Sequence, residues 1–448
     1  MTLTAAGDSS EPDAFPHRAR IFVIMTLALL TAASAVALRA ATADHLKSTY
    51  LDQLDPLRAS ELLGSVLGTA FAGFSVTLFV ASPLLHVIQI RRALTLSAAF
   101  PFAGLLLVSS AGSLATGDAL YNLLILATLL QGIGWGLVEA VINPLTSALY
   151  PANRTSRLNI LHAWYPAGIV VGSLLALCVD SFGLDWRWAI VPTLVGLIAV
   201  FILSAPTTFP AGEEVTSGAT MNDMFRAMIR QPTIFLWFFI MTMTATTEFA
   251  PGQWVDFALS EIVGMRGILL LVYVSALMFV LRHFAGPLVK RLSNTGLLLV
   301  CSVIATFGLL GLSIANSPAT ALLAATGWGI GVCFFWPTML ATVAERYPRG
   351  GTLVFGFMGS AGAAATYLVL PILGKIYDQA KIAAAGGPEK LAQMTGEALK
   401  GPLSAAATAS FQTVALIPAA LTVIFALIAL RDRRRRLAEA NERKLVHV

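Results

Sequence analysis

Long apolar runs alternate with short polar gaps from one end of the chain to the other. Runs long enough to cross a bilayer, about 20 residues each, fall at 20–44, 61–88, 93–114, 119–148, 158–180 and 187–205. They resume at 232–258, 267–289, 296–314, 319–344, 352–374 and 407–430. The pattern predicts an all-α polytopic membrane protein with twelve transmembrane helices in two groups of six. The gap at 206–231 separates the groups, and its second half has the spacing of a short amphipathic helix on the membrane surface. The gap at 375–406, rich in Ala, Gly, Lys and Gln, is expected to be a partly helical loop. The predicted organisation is a polar tail (1–17), a six-helix bundle (18–205), a linker (206–231), a second bundle (232–430) and a basic tail (431–448).

Composition agrees. Hydrophobic residues make up 57% of the chain and charged ones only 12%, against about a quarter charged in soluble proteins. Cys178, Cys301 and Cys333 all lie in apolar runs, which gives no indication of a disulfide framework or a cysteine metal site. The N-terminal stretch is polar and acidic before Arg18 and Arg20 and lacks a signal peptide's basic region, so the first run is expected to remain as a helix. With both termini inside, the cytoplasmic segments hold nineteen lysines and arginines against eight on the other side. The positive-inside rule therefore places both termini in the cytoplasm, in a cell inner membrane. The net charge of +5 then reports orientation, not nucleic-acid binding.

The two groups repeat one another. Gly134-Trp135-Gly136 followed by Pro144 matches Gly327-Trp328-Gly329 followed by Pro337, and each is followed by a Tyr-Pro, at Tyr150 and Tyr347. Ser82-Pro83-Leu84 likewise matches Gly286-Pro287-Leu288 ahead of a basic pair. Similar halves that both start inside must be parallel repeats.

Polar residues inside apolar runs are costly and usually face a cavity or a partner. Gly132, Gly136, Glu139, Asn143 and Thr146 fall on one face of the fourth helix. Helical rise places Arg39, Glu139 and Glu248 near one level, roughly 22–28 Å from the inner basic residues. Glu139 is either a proton-carrying group or a structural acid locked to an arginine. Arg39 either snorkels outward, pairs with Glu139, or holds an anionic or polyhydroxylated solute. His162 and Tyr165, on one face of the fifth helix, are candidate substrate contacts or inner-mouth residues. In TATTEFAPGQW, Pro251-Gly252 is expected to break the seventh helix and expose Glu248, Gln253 and Trp254 to a solute; the alternative is a kink with Trp254 in the interfacial belt. Trp336 corresponds to Asn143 in the repeat and is expected either to pack in the core, as such tryptophans more often do, or to stack on a sugar face. Arg282 and His283, roughly 12 Å from Lys290, are expected to act at an inner gate or to snorkel.

At these residues the sequence resembles the major facilitator superfamily and, within it, the fucose:proton symporter group of sugar permeases. The group's pattern is carried by Gly136, Glu139 and Asn143-Pro144, then Arg157-Leu158-Asn159 and Gly168. The resemblance implies parallel halves about a midplane site, Glu139 as the membrane-embedded protonatable glutamate, and His162 at the position of a sugar-facing polar residue. The group's helix-one aspartate is missing: that region reads AVALRAATAD, with Arg39 as its charge and Asp44 near the outer end. The departure bears on fucose-like specificity and on proton coupling.

The sequence thus points to a monomeric secondary transporter, not an enzyme. Its partners are a small-molecule solute, a proton or a sodium ion, and membrane lipid. A sugar taken up with protons leads; an organic-anion or drug carrier using Arg39 is the alternative, and a transporter-like sensor without flux a third. No Walker loop, zinc motif or nucleotide fingerprint is present, and no cofactor is expected.

Overall fold

The computed structural model describes residues 17–150, 154–210, 221–347 and 350–446, and these are helical, with no strand among them. The first half runs α1 (Arg18–Ala41), α2 (Ala59–Ile88), α3 (Ile90–Leu114), α4 (Gly117–Leu149), α5 (Arg154–Ser181) and α6 (Ile190–Ser204). A short helix, α7 (Met221–Ile229), follows on the surface. The second half runs α8 (Thr233–Val263), α9 (Ile268–Arg282), α10 (Ala285–Ser313), α11 (Pro318–Val332), α12 (Phe335–Arg346), α13 (Gly351–Ala385) and α14 (Glu397–Val446). Among the described residues, eleven helical stretches are long and apolar enough to cross a membrane, and α9 is a shorter apolar helix. The first turns of α10 extend α9, and the helix breaks at Ser293 (φ 63°, ψ 164°), which separates the eighth run from the ninth. Together α11 and α12 form the tenth span. The chain is a multi-pass membrane protein, as its apolar runs predict.

The repeat extends to the backbone. Gln89, between α2 and α3, has φ 67° and ψ 133°, close to the values at Ser293. Tyr150 (φ −133°, ψ 61°) and Tyr347 (φ −129°, ψ 57°) end the fourth helix of each half in nearly one conformation. The proline after each tyrosine excludes the helical region for the residue before it. Equivalent positions in the two halves therefore turn the same way.

Small residues bring the helices together, since lipid offers no hydrophobic drive between them. Gly132 and Gly136, expected to share a solute-facing stripe with Glu139, instead lie against the α2 backbone at Ala70 and Phe74, where a Cβ would collide. The stripe divides: its glycines pack against α2, Asn143 bonds Glu139, and Thr146 turns to Met25 of α1. Gly64 of α2 meets the Leu370 carbonyl of α13 in the same way, and Gly356 and Gly359 of α13 meet Ser82 and Leu78. Hence α2 and α13 join the halves along nearly their whole length. A second seam joins α5 to α9. Side chains such as Val195, Phe201, Phe307, Leu323 and Leu427 stand exposed on the outside, an apolar exterior suited to lipid.

On the expected outer side, Arg266 of the second half pairs with Asp180 of the first at 2.7 Å. On the same side, Asp378 of α13 accepts from the Glu61 backbone N–H at 3.2 Å, in the first turn of α2. The loop expected at 375–406 is narrower than its composition implies, because α13 continues to Ala385 and α14 opens at Glu397. The last helix also runs through the predicted basic tail to Val446, and Asp432 on it pairs with Arg346 of α12.

Candidate functional site

Proline shapes the centre of this molecule. A proline in a helix removes one N–H and leaves the carbonyl four residues earlier without its usual donor. Pro166 frees the carbonyl of His162, Pro337 that of Cys333, and Pro251 that of Thr247. Each of the three is taken by a side chain. Arg282 donates from Nη1 to the His162 carbonyl at 2.8 Å and from Nε to the Cys333 carbonyl at 3.0 Å. Trp328 donates from Nε1 to the Thr247 carbonyl at 3.2 Å. The remaining face of the guanidinium meets Glu248, Nη2 to Oε1, at 3.1 Å.

Two expectations change here. Arg282 does not snorkel to the inner surface; it is 3% exposed and held in the core by three acceptors, across the seam between the halves. Its long side chain reaches inward because two freed carbonyls and a carboxylate lie there. Nor is the seventh span broken: α8 stays helical through Pro251 to Val263. Trp328 supplies the missing donor, so the backbone has no need to unwind. The interruption falls in the tenth span instead, at Cys333 and Phe334.

Glu139 lies in α4, 4% exposed. One turn later Asn143 donates from Nδ2 to its Oε2 at 2.9 Å and to its backbone carbonyl at 3.2 Å. With its N–H₂ engaged, Asn143 has Oδ1 left to accept, and His162 Nε2 donates to it at 2.7 Å. Glu139 makes no ion pair among the described residues. The side-chain links continue through the His162 backbone to Arg282 and so to Glu248. A chain of polar contacts thus runs from α4 through α5, across the seam between the halves, to α9 and α8.

Glu248 and Gln253 lie on the wall of a central cavity of about 40 Å³, with Tyr165, Phe71, Phe249, Ser275 and Trp328. That is room for about three water-sized spheres. The Oε2 of Glu248 and the Oε1 of Gln253 have no hydrogen-bond partner. The Trp336 backbone N–H, at the start of α12, also approaches the Glu248 carboxylate. Tyr165 stacks on Trp135 at 5.9 Å between centroids and lies within electrostatic reach of Arg39, Glu139, Glu248 and Arg282.

Of the predicted site residues, Tyr165, Glu248 and Gln253 are brought to this wall. Asn143 and His162 form the layer behind it. Trp336 packs its ring on Phe249 at 5.3 Å, and Trp254, 1% exposed, packs on Tyr377 at 6.0 Å; neither lines the cavity. The Asn159 side chain is outside the described residues. Arg39 stands apart. It does not pair with Glu139 but donates from Nη1 to Gln131 Oε1 at 3.0 Å. Gln131 precedes Glu139 by eight residues, about 12 Å along the helix, so the Arg39 guanidinium ends well outward of Glu139. Side-chain reach, which helical rise ignores, sends Arg39 into its own half. Among the described residues no cluster of three His, Cys, Asp or Glu side chains could hold a metal ion.

The sequence profile of the Major Facilitator Superfamily matches residues 19–368. The chain belongs to that superfamily. No curated protein sequence matches this transporter. Solved structures do match in fold. A D-xylose-proton symporter is 15% identical, with 90% of this chain and 97% of that one covered, at a TM-score of 0.69. The E. coli fucose:proton symporter FucP is 16% identical over 89% of this chain and 99% of that one, at 0.57. The human organic anion transporter MFSD10 is 14% identical over 92% and 100%, at 0.60. At these identities the likeness is one of fold.

Sequence reasoning missed Gln131 as the partner of Arg39 and the inward reach of Arg282. A signal for Arg282 was present in the positions of Pro166 and Pro337, each four residues after a carbonyl that would need a new donor. Nothing in the spacing distinguished Gln131.

Proposed function

We propose that this major facilitator carries a small hydroxylated solute, a sugar or sugar derivative, together with a proton, by alternating access of its two halves. The observation that carries the reading is the polar chain from Glu139 to Glu248. At one end is a buried carboxyl group with no cation in contact, whose charge can be removed only by a proton. At the other is a carboxylate on the cavity wall. Between them Arg282 bridges the seam that must open and close. Gain or loss of a proton at Glu139 alters what Asn143 and His162 can donate, and so bears on the bond from Arg282 across the seam.

The wall favours a hydroxyl-rich solute. Its unpartnered polar atoms, Glu248 Oε2 and Gln253 Oε1, accept hydrogen bonds, and its aromatic rings suit the apolar face of a sugar. An organic acid would need a free cation on that wall, and Arg282 is already paired with Glu248 while Arg39 lies elsewhere. In this reading the cavity is contracted, and parting of the halves widens it to admit the solute. Cytoplasmic termini, residence in a cell inner membrane and a monomeric state complete the proposal.

The test is uptake into proteoliposomes of labelled sugars and organic acids, with and without an inward proton gradient. Saturable sugar uptake that the gradient drives above equilibrium is expected. Uptake of an acid but no sugar overturns the solute class, and uptake that requires sodium and ignores pH overturns the proton.

A further inference from the structure

Inside the first half, away from the central cavity, α1 and α4 enclose a second and smaller space of about 20 Å³, one or two water-sized spheres. Its polar lining is unusual for the inside of a helical bundle. Arg39 is 5% exposed and Gln131 3%. They are joined by one hydrogen bond, and three nitrogens remain buried without a partner: Arg39 Nε, Arg39 Nη2 and Gln131 Nε2. Thr42 and Thr128 also border the space, but their hydroxyls donate to the carbonyls of Leu38 and Leu124. The rest of the lining is apolar, with Leu67 and Trp186 among it.

Three buried, unpartnered donor nitrogens and one positive charge border this space, with no carboxylate in contact among the described residues. Glu139 is engaged with Asn143, and Asp44 is exposed at the end of α1. A buried cation without a counter-charge is strongly disfavoured. Water could accept from the three nitrogens, but it would leave the charge uncompensated.

We propose that Arg39 and Gln131 hold a small monovalent inorganic anion of the chloride class within the first half. One anion meets both needs, since it accepts from all three donors and balances the single charge. The size of the space selects a monatomic ion over sulfate or a solute's carboxylate. The anion is a structural part of the half, not cargo, and the inference does not rest on the solute or on proton coupling.

Thermal unfolding of the purified full chain at fixed ionic strength tests it, with chloride or bromide exchanged for gluconate, which is too large for the space. A ligand that binds only the folded protein raises the unfolding temperature with saturation. Halides are expected to raise it by roughly 2–4 °C. Gln131→Glu places a carboxylate beside Arg39 as a built-in anion, and should melt alike in chloride and gluconate. Arg39→Gln should lose the halide step too; if that variant fails to fold, Gln131→Glu still decides. A wild-type melting temperature indifferent to the halide, or a Gln131→Glu variant that keeps the full halide step, overturns the proposal. A stabilisation equal for sulfate and chloride would overturn the selectivity for a monatomic ion.

Discussion

Replacing Arg282 by leucine removes three hydrogen bonds at once: two to proline-freed carbonyls and one to Glu248. Breaking a buried ion pair on one side costs about 3–5 kcal/mol, mostly because the surviving charge is left alone. The two carbonyls add less, about 0.6–2 kcal/mol each where the reference state is itself within a membrane. Arg282→Leu should therefore destabilise by roughly 4–9 kcal/mol if Glu248 stays ionised. The Glu248 share is recoverable. In the double variant Arg282→Leu/Glu248→Gln no lone charge remains, so only the carbonyl losses and the altered packing should persist. A double-mutant cycle on detergent-solubilised protein, read by denaturant unfolding, should give a coupling energy of about 2–3 kcal/mol, near the upper end for contacting residues. Arg282→Lys should recover only part of the loss, because an ammonium cannot fork to three acceptors as a guanidinium does. Additivity of the two single variants within about 0.5 kcal/mol would refute the pairing. A cost below about 1 kcal/mol for Arg282→Leu would refute the role of the freed carbonyls as well.

Two further outcomes follow from other parts of the molecule. Glu139→Gln should retain counterflow exchange of the solute within about twofold, since glutamine keeps the hydrogen bond to Asn143, but lose accumulation driven by a proton gradient, about 1.4 kcal/mol for each tenfold of accumulation; driven accumulation at wild-type levels would remove Glu139 as the proton carrier. Gly64→Leu forces a side chain against the Leu370 carbonyl, and overpacking of this kind costs about 1–3 kcal/mol. Its signature should be increased labelling of a cysteine placed at Gly68 on the α2–α13 seam, and unchanged labelling there would indicate that the seam is not a close contact in the folded protein.

The fold was open to reading because the bilayer imposes a coarse rule on the sequence. Apolar runs of bilayer length, paired basic residues and the doubled Gly-Trp-Gly and Tyr-Pro motifs each carry information at the scale of whole helices. Even the turns at Gln89 and Ser293 follow from the alignment of Ser82-Pro83-Leu84 with Gly286-Pro287-Leu288. The site was legible only in part. Glu139, Asn143 and His162 are within one helix or adjacent ones, where spacing governs contact, and the structure brings them together. Arg39 and Arg282 have side chains long enough to choose among several neighbours, and helical rise gives the depth of a Cα, not the destination of a guanidinium. For Pro251 the error lay in asking what a proline breaks, when Trp328 was in a position to mend it. The tenth span interrupts at Cys333 and Phe334 although Pro144 leaves the corresponding helix whole. The motif they share does not account for that difference.

Pro166, Pro251 and Pro337 carry no polar side-chain atom, yet they determine where the polar wiring of this protein attaches. Each acts as an address, marking the residue four places earlier as a docking point for a foreign side chain. Shifting one of them by a single turn would move its docking point by about 5.4 Å along the helix, and Arg282 or Trp328 would then aim at a carbonyl already satisfied. The contacts between helices could thus be rewired without altering a single charged or hydrogen-bonding residue. In chains of this kind, the positions of the prolines belong to the description of the polar network as much as the arginines do.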